Sequence, residues 1–237
     1  MTSQLVEYGA AGHQYQGYLS FRRDRGRAPC VFVLHDWSGI SDATCAVADE
    51  MAELGYVAFA IDLYGKGRRG SGADQSAELM RPFVEDRAKL LAPMALALEL
   101  ANGHERIDAQ RLAAIGFCFG GMCALDLARR SFPLRGVVSV HGVPSPIAGL
   151  QPAGIASSVL VLQGSDDPLA PSAQLDSLAA ELSTAGADWQ MHVFGGVQHA
   201  FTNPAANDPA SGIRYDARAH MRASKLTADF LAEVLEP

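Results

Sequence analysis

The sequence predicts an α/β protein built on an open, mostly parallel sheet with helices on both faces. Three observations lead there: short, nearly continuous apolar runs recur along the chain, segments with helical spacing separate them, and two alternating segments near the start stand apart from that rhythm. Continuous apolar strands are those covered on both faces, and parallel neighbours need crossovers, which helices supply.

Taken in order, "QLVEY" and "YQGYLSF" flank "GAAGH" and read as an antiparallel hairpin. The runs "PCVFVLHD" (29–36), "YVAFAIDL" (56–63), "RLAAIGFC" (111–118), "LRGVVSVHG" (134–142) and "SSVLVLQG" (157–164) read as buried strands, with "WQMHVFGG" (189–196) as a final one. Helical spacing covers about 42–54, 76–101, 119–131, 172–185 and 218–235. The stretch "GKGRRGSGADQ" (65–75) is the most irregular. No repeat, low-complexity tract or linker divides the chain, so 1–237 is expected to form a single domain with a sizeable core.

Composition removes several function classes. A formal charge of -7 disfavours nucleic acid and anionic membrane surfaces as partners, leaving a small molecule or another soluble chain. The start, "MTSQLVEYGA", lacks the basic and apolar regions of a signal peptide, and no apolar stretch reaches the roughly 18 residues a membrane span needs. A cytoplasmic protein is expected. Cys30, Cys45, Cys118 and Cys123 form no CxxC pair, so neither a disulfide framework nor a zinc site is indicated, and no metal or cofactor is expected. The C-terminal "RASKLTADFLAEVL" carries an apolar stripe that packing on the sheet or a dimer seam explains equally, which leaves monomer and homodimer open.

In sheets of this kind the functional residues gather at the C-terminal strand ends. In "AAIGFCFGGM" (113–122) a strand ends and a helix begins around Cys118, with Gly116 and Gly120 two residues to either side. This is the G-x-nucleophile-x-G elbow with sulfur in place of oxygen. The turn brings positions 116 and 120 together, and a side chain at either would displace the nucleophile. The helix that follows aims its positive end at the sulfur and favours thiolate over thiol. The alternative is a buried small hydrophobe at a tight turn. An elbow nucleophile requires an acid and then a histidine, each past a later strand. "LVLQGSDDPLAP" supplies Asp166 and Asp167, and "FGGVQHAF" supplies His199. Ser-Asp-Asp-Pro is also an ordinary turn, and seven histidines compete, but all three residue types fall at strand ends in the required order.

Through "LHDWSGI", "GYVAFAIDLYG", "AAIGFCFGG", "GSDDPLAP" and "GGVQHAFTNP" the chain resembles the dienelactone hydrolase family, carboxymethylenebutenolidase-like α/β-hydrolases with a cysteine nucleophile, over nearly its whole length. The family pattern G-x-x-D-x-x-x-P fits Gly164, Asp167 and Pro171 and selects Asp167 over Asp166. The resemblance implies Cys118 as nucleophile, His199 as base and Asp167 as its orienter, with the backbone N–H groups of Trp37 and Phe119 forming an oxyanion hole. It implies hydrolysis of a small ester or lactone through a thioester, with no cofactor. Two positions depart from the family. Where it has a glutamate that approaches the resting cysteine, this chain has Asp36, a residue that also caps turns. Four residues after the histidine, where dienelactone-cleaving members carry a carboxylate-binding arginine, stands Asn203; Arg68, Arg69, Arg81, Arg87 and Arg214 are the candidates to replace it.

Two other classes fit fragments of the sequence. A dinucleotide-binding oxidoreductase would use "GKGRRG" (65–70), a formal G-x-G-x-x-G after a strand, but those glycines must open a helix directly and here another glycine-bearing loop intervenes. A non-catalytic or redox-sensing member of the same fold would need a resolving thiol, and Cys123, five positions along the same helix, faces elsewhere.

Overall fold

The computed structural model describes residues 1–10, 12–150 and 154–236. They form an eight-stranded sheet in the order β1-β2-β4-β3-β5-β6-β7-β8 and a separate two-stranded ribbon. Two compact units divide the chain, Met1–Ala114 and Ile115–Pro237.

In the first unit β1 (Thr2–Ala10) and β2 (His13–Phe21) make the expected hairpin, pairing Thr2 with Phe21 through Ala10 with His13. β2 lies antiparallel to β4 (Val57–Ile61), and β4 lies parallel to β3 (Ala28–Leu34). Every residue of β4 is buried, as a strand covered on both faces must be. The helix α1 (Asp42–Glu53) starts at a capping box in which the Ser41 side chain accepts from Thr44 N–H and the Thr44 side chain accepts from Ser41 N–H. Just past β4, the buried Asp62 accepts from the N–H groups of Tyr64 and Gly65 at 3.0 Å each and of Gln16 at 3.1 Å, which fastens the hairpin to the strand end.

The helix expected over 76–101 is two helices, α2 (Ala73–Glu85) and α3 (Leu91–Gly103), with a 3-10 turn (Arg87–Leu90) between them. Pro82 lies in the last turn of α2 and Pro93 in the first turn of α3. A proline N1–N3 position sacrifices no intrahelical donor, whereas Pro93 inside one long helix would remove a hydrogen bond and clash with the preceding turn. Asp86, in extended geometry, ends α2 and caps the 3-10 turn by accepting from Ala88 N–H.

β5 (Ile107–Phe117) crosses from the first unit into the second. The second unit continues with α4 (Phe119–Arg129), β6 (Gly136–Val140), β7 (Ser158–Gly164), α5 (Ser172–Thr184), β8 (Trp189–Phe194) and α6 (Ala217–Leu235), and β6, β7 and β8 pair in parallel. All of α4 is buried, including Arg129. That guanidinium holds Glu181 through Nε and Nη2 at 2.8 and 2.9 Å, Asp126 at 3.2 Å, and the carbonyls of Pro144 and Ser145 at 3.1 and 3.0 Å. A buried charge is tolerated when its donors are met in this way. The two-residue strands β9 (Asn207–Asp208) and β10 (Ile213–Arg214) form a ribbon that the sequence pattern did not reveal.

Candidate active site

Cys118 sits between β5 and α4 with φ 53° and ψ -114°, a backbone conformation that L residues rarely adopt. It is held there by its N–H on the Val140 carbonyl at 3.1 Å and by its own carbonyl, which accepts from Met122 N–H at 3.2 Å. A Cβ on Gly116 would overlap the carbonyl group of Gly120, so the bend depends sterically on position 116. Cys118 is only partly buried, unlike Cys30 and Cys123, which are buried. Phe119 is the first residue of α4, where backbone N–H groups point out of the helix end.

Asp167 follows β7 and is buried, whereas Asp166 is exposed and bonded to its neighbour Ser165. His199 Nδ1 lies 2.7 Å from Asp167 Oδ2, so Nδ1 carries the proton. Cys118 also acts on this ring and favours its charged form. Burial opposes charging the ring, but the hydrogen bonds and charges of Asp167 and Cys118 outweigh it and push the imidazole up to about 10. The backbone around His199 is pinned by the unforeseen ribbon: His199 N–H donates to the Gly212 carbonyl at 2.9 Å, and its carbonyl accepts from Arg214 N–H at 3.0 Å. The turn bearing Asp167 and the loop bearing His199 are laced by Asp166 N–H on the Val197 carbonyl, and a Cβ on Gly164 would strike that same carbonyl. This close approach is the physical reason for glycine at the head of the G-x-x-D pattern.

Two residues that pattern reading passed over lie against the pair. Gln163, fully buried at the end of β7, donates through Nε2 to Asp167 Oδ2 at 2.6 Å, while Leu169 N–H donates to Oδ1 at 2.8 Å. His141 stands after β6 with φ 38°, edge-on to the His199 ring at 5.2 Å and 2.8 Å from the Thr202 hydroxyl through Nε2. Burial, then the neighbouring His199, pushes it well below the usual histidine range, so it is neutral. The available signals were a glutamine closing the apolar run "SSVLVLQG" and a histidine closing "VVSVHG".

In the first unit, Asp36 Oδ1 accepts from the N–H of Ser38 at 2.8 Å and its hydroxyl at 2.6 Å, the turn-capping role. His35 is buried, accepts from Leu63 N–H at Nε2 and so donates from Nδ1 to the Asp36 carbonyl at 2.6 Å. The Trp37 carbonyl accepts from the Tyr64 hydroxyl at 3.0 Å, and Gly70 N–H donates to the Ser38 carbonyl at 2.9 Å. The segment "GKGRRG", a formal dinucleotide fingerprint, is thus a turn, with Gly65 and Gly67 at positive φ, bound to the loop that carries Trp37; the next helix opens only at Ala73. Of the candidate arginines, Arg68 donates to the Tyr64 carbonyl at 3.1 Å and Arg69 to the Arg68 carbonyl at 2.9 Å, while Arg81 and Arg214 are exposed. Asn203 spends its side-chain oxygen on Ala205 N–H at 2.9 Å, closing a turn.

A mostly parallel sheet with a strand-turn-helix elbow, and an acid and histidine at later strand ends, defines an α/β-hydrolase. The chain belongs to the dienelactone hydrolase family, whose model matches residues 15–235. It is 33% identical to the solved structure of m3DLH, with a TM-score of 0.93 over 99% of both chains. It is 31% identical to the dienelactone hydrolase-like promiscuous phosphotriesterase P91 from metagenomic libraries, with a TM-score of 0.91 over 98% of both. A relative from Aquifex aeolicus named for carboxymethylenebutenolidase is 26% identical across 98% of this chain and 99% of its own. The protein is therefore a carboxylic ester hydrolase of the dienelactone hydrolase type, and the dinucleotide-binding alternative is not favoured. Among the described residues no helix is long and apolar enough to cross a membrane.

Proposed function

We propose that the protein hydrolyses a small carboxylic ester or lactone with Cys118 as nucleophile, His199 as general base and acid, and Asp167 as orienter, acting as one functional domain over 1–237. The observation that carries this reading is the 2.7 Å bond between the His199 imidazole and Asp167, with Cys118, strained at a helix start, favouring the charged form of the same ring. His199 takes the thiol proton, and the sulfur attacks the carbonyl carbon to give a tetrahedral oxyanion. The backbone N–H of Phe119, at the start of α4, is assigned to that oxyanion. Collapse of the intermediate expels the alkoxide, which His199 protonates, and leaves a thioester on Cys118. His199 Nε2 then removes a proton from water, whose oxygen displaces the thiolate and releases the acid. Throughout, Asp167 keeps the proton on Nδ1 and stabilises the imidazolium. The Asn203 position carries no charge for a substrate carboxylate, so neutral esters and lactones are the expected substrates.

The decisive experiment pairs the native protein with Cys118→Ala on short activated esters and unsaturated lactones, with mass spectrometry of the quenched native enzyme. A thioester adduct on Cys118 and loss of turnover in the variant are expected. Turnover by Cys118→Ala above background defeats the assignment.

A further inference from the structure

We propose that Gln163 is a positioning residue for this site: its side-chain N–H shares Asp167 Oδ2 with His199 and thereby sets the direction in which His199 meets Cys118. The inference rests on the function proposed above and deepens it.

The geometry is specific. An ionised carboxylate has about four lone-pair positions over its two oxygens. Here Leu169 N–H takes one on Oδ1 at 2.8 Å, and Oδ2 receives both Gln163 Nε2 at 2.6 Å and His199 Nδ1 at 2.7 Å. Leu169 belongs to the same turn as Asp167 and moves with it. Gln163 is anchored in β7 by the sheet, so it is the donor that ties the carboxylate to a rigid element. The terminal torsion of an aspartate is broad, and a carboxylate held at one oxygen alone can swing about it. Any such swing turns the imidazole, because the ring follows the oxygen that accepts from it.

Gln163 also carries a cost that packing does not explain. The residue is fully buried, and among the described residues its Oε1 has no hydrogen-bond partner. Native structures leave few buried polar atoms in that state. A methionine would fill the space without the orphaned oxygen. What it lacks is the donor, and the donor is the half of the amide that faces Asp167.

Two substitutions test this. In Gln163→Met, kcat/KM on an activated ester is expected to fall by about 10–100-fold, mostly in kcat, because a misdirected base loses near-attack geometry, while the melting temperature holds or rises. In Gln163→Glu, the introduced carboxyl beside Asp167 is protonated at acid pH and donates an O–H where the amide donated an N–H; at higher pH both carboxylates are charged and repel. The ratio of variant to native kcat/KM is therefore expected to stand near one at the acid end and to fall as pH rises, measured where circular dichroism shows both proteins folded. Native kcat/KM in Gln163→Met, or a ratio for Gln163→Glu that is the same at every pH, overturns the proposal. Native kcat/KM in Gln163→Met alongside a dead Cys118→Ala removes this inference alone, whereas an active Cys118→Ala removes the parent reading and this one with it.

Discussion

The ring of His141 stands edge-on to the ring of His199, 5.2 Å from centroid to centroid, and the two differ in charge preference although both are buried. Burial dominates at His141, whose Nε2 lies 2.8 Å from the Thr202 hydroxyl. At His199 the same penalty is overcome by Asp167 and Cys118. His141 thus serves as a neutral aromatic wall rather than a second base. His141→Phe keeps the wall and is expected to leave kcat/KM nearly native, with a stability change of about 1 kcal/mol for the lost hydrogen bond. His141→Ala opens a cavity and is expected to cost about 3 kcal/mol in urea unfolding. A large loss of activity in the phenylalanine variant would show that the ring nitrogens matter.

His199 also governs part of the pH dependence of stability. Its folded value of about 10 exceeds the ordinary histidine value of 6.5, so the folded state holds the proton more tightly than the unfolded chain does. Its contribution to stability is then complete below about pH 6.5 and is lost as pH rises through about 10. The unfolding free energy of the native protein should decline across that window more steeply than that of His199→Gln. Cys118→Ala removes one of the two partners, so its decline should begin at the same pH but be smaller and end at lower pH. Parallel profiles for the native protein and His199→Gln would contradict this.

Strain at the elbow makes an unusual ranking. Alanine normally outranks glycine, but at φ 53° a Cβ is unfavourable. Cys118→Gly is expected to be at least as stable as Cys118→Ala in thermal melts. Gly116→Ala forces a Cβ against the Gly120 carbonyl and is expected to destabilise the fold by about 1–3 kcal/mol and to abolish turnover by moving residue 118. Native activity in Gly116→Ala would show that the bend has room to spare.

The loop carrying Trp37 is held at its carbonyl by the Tyr64 hydroxyl at 3.0 Å. Tyr64→Phe deletes that bond and keeps the ring, so a stability loss of about 1 kcal/mol is expected. Urea unfolding measures it, and an unchanged midpoint would show that the loop does not depend on that bond.

The alternation of strands and helices is legible in the linear chain because burial on both faces leaves a local record: "VAFAI" is apolar at every position and is buried at every position. The bend is legible because Gly116 and Cys118 lie two positions apart in the chain, and strand ends offered Asp166, Asp167 and His199 as candidates, with only the family resemblance choosing between the two aspartates. The division of 76–101 at Asp86 escaped because apolar residues recur on both sides of it closely enough to fit one helical period, although Pro82 and Pro93 mark it. The ribbon of β9 and β10 escaped because two-residue strands have no period. Gln163 on Asp167, His141 beside His199 and Tyr64 under Trp37 leave no trace of their pairing in composition or spacing. Hydrophobic periodicity reports a residue's own environment, whereas a hydrogen bond across 27 or 32 positions, as from Tyr64 to Trp37 or between His199 and Asp167, exists only once the folded backbone has brought donor and acceptor within reach.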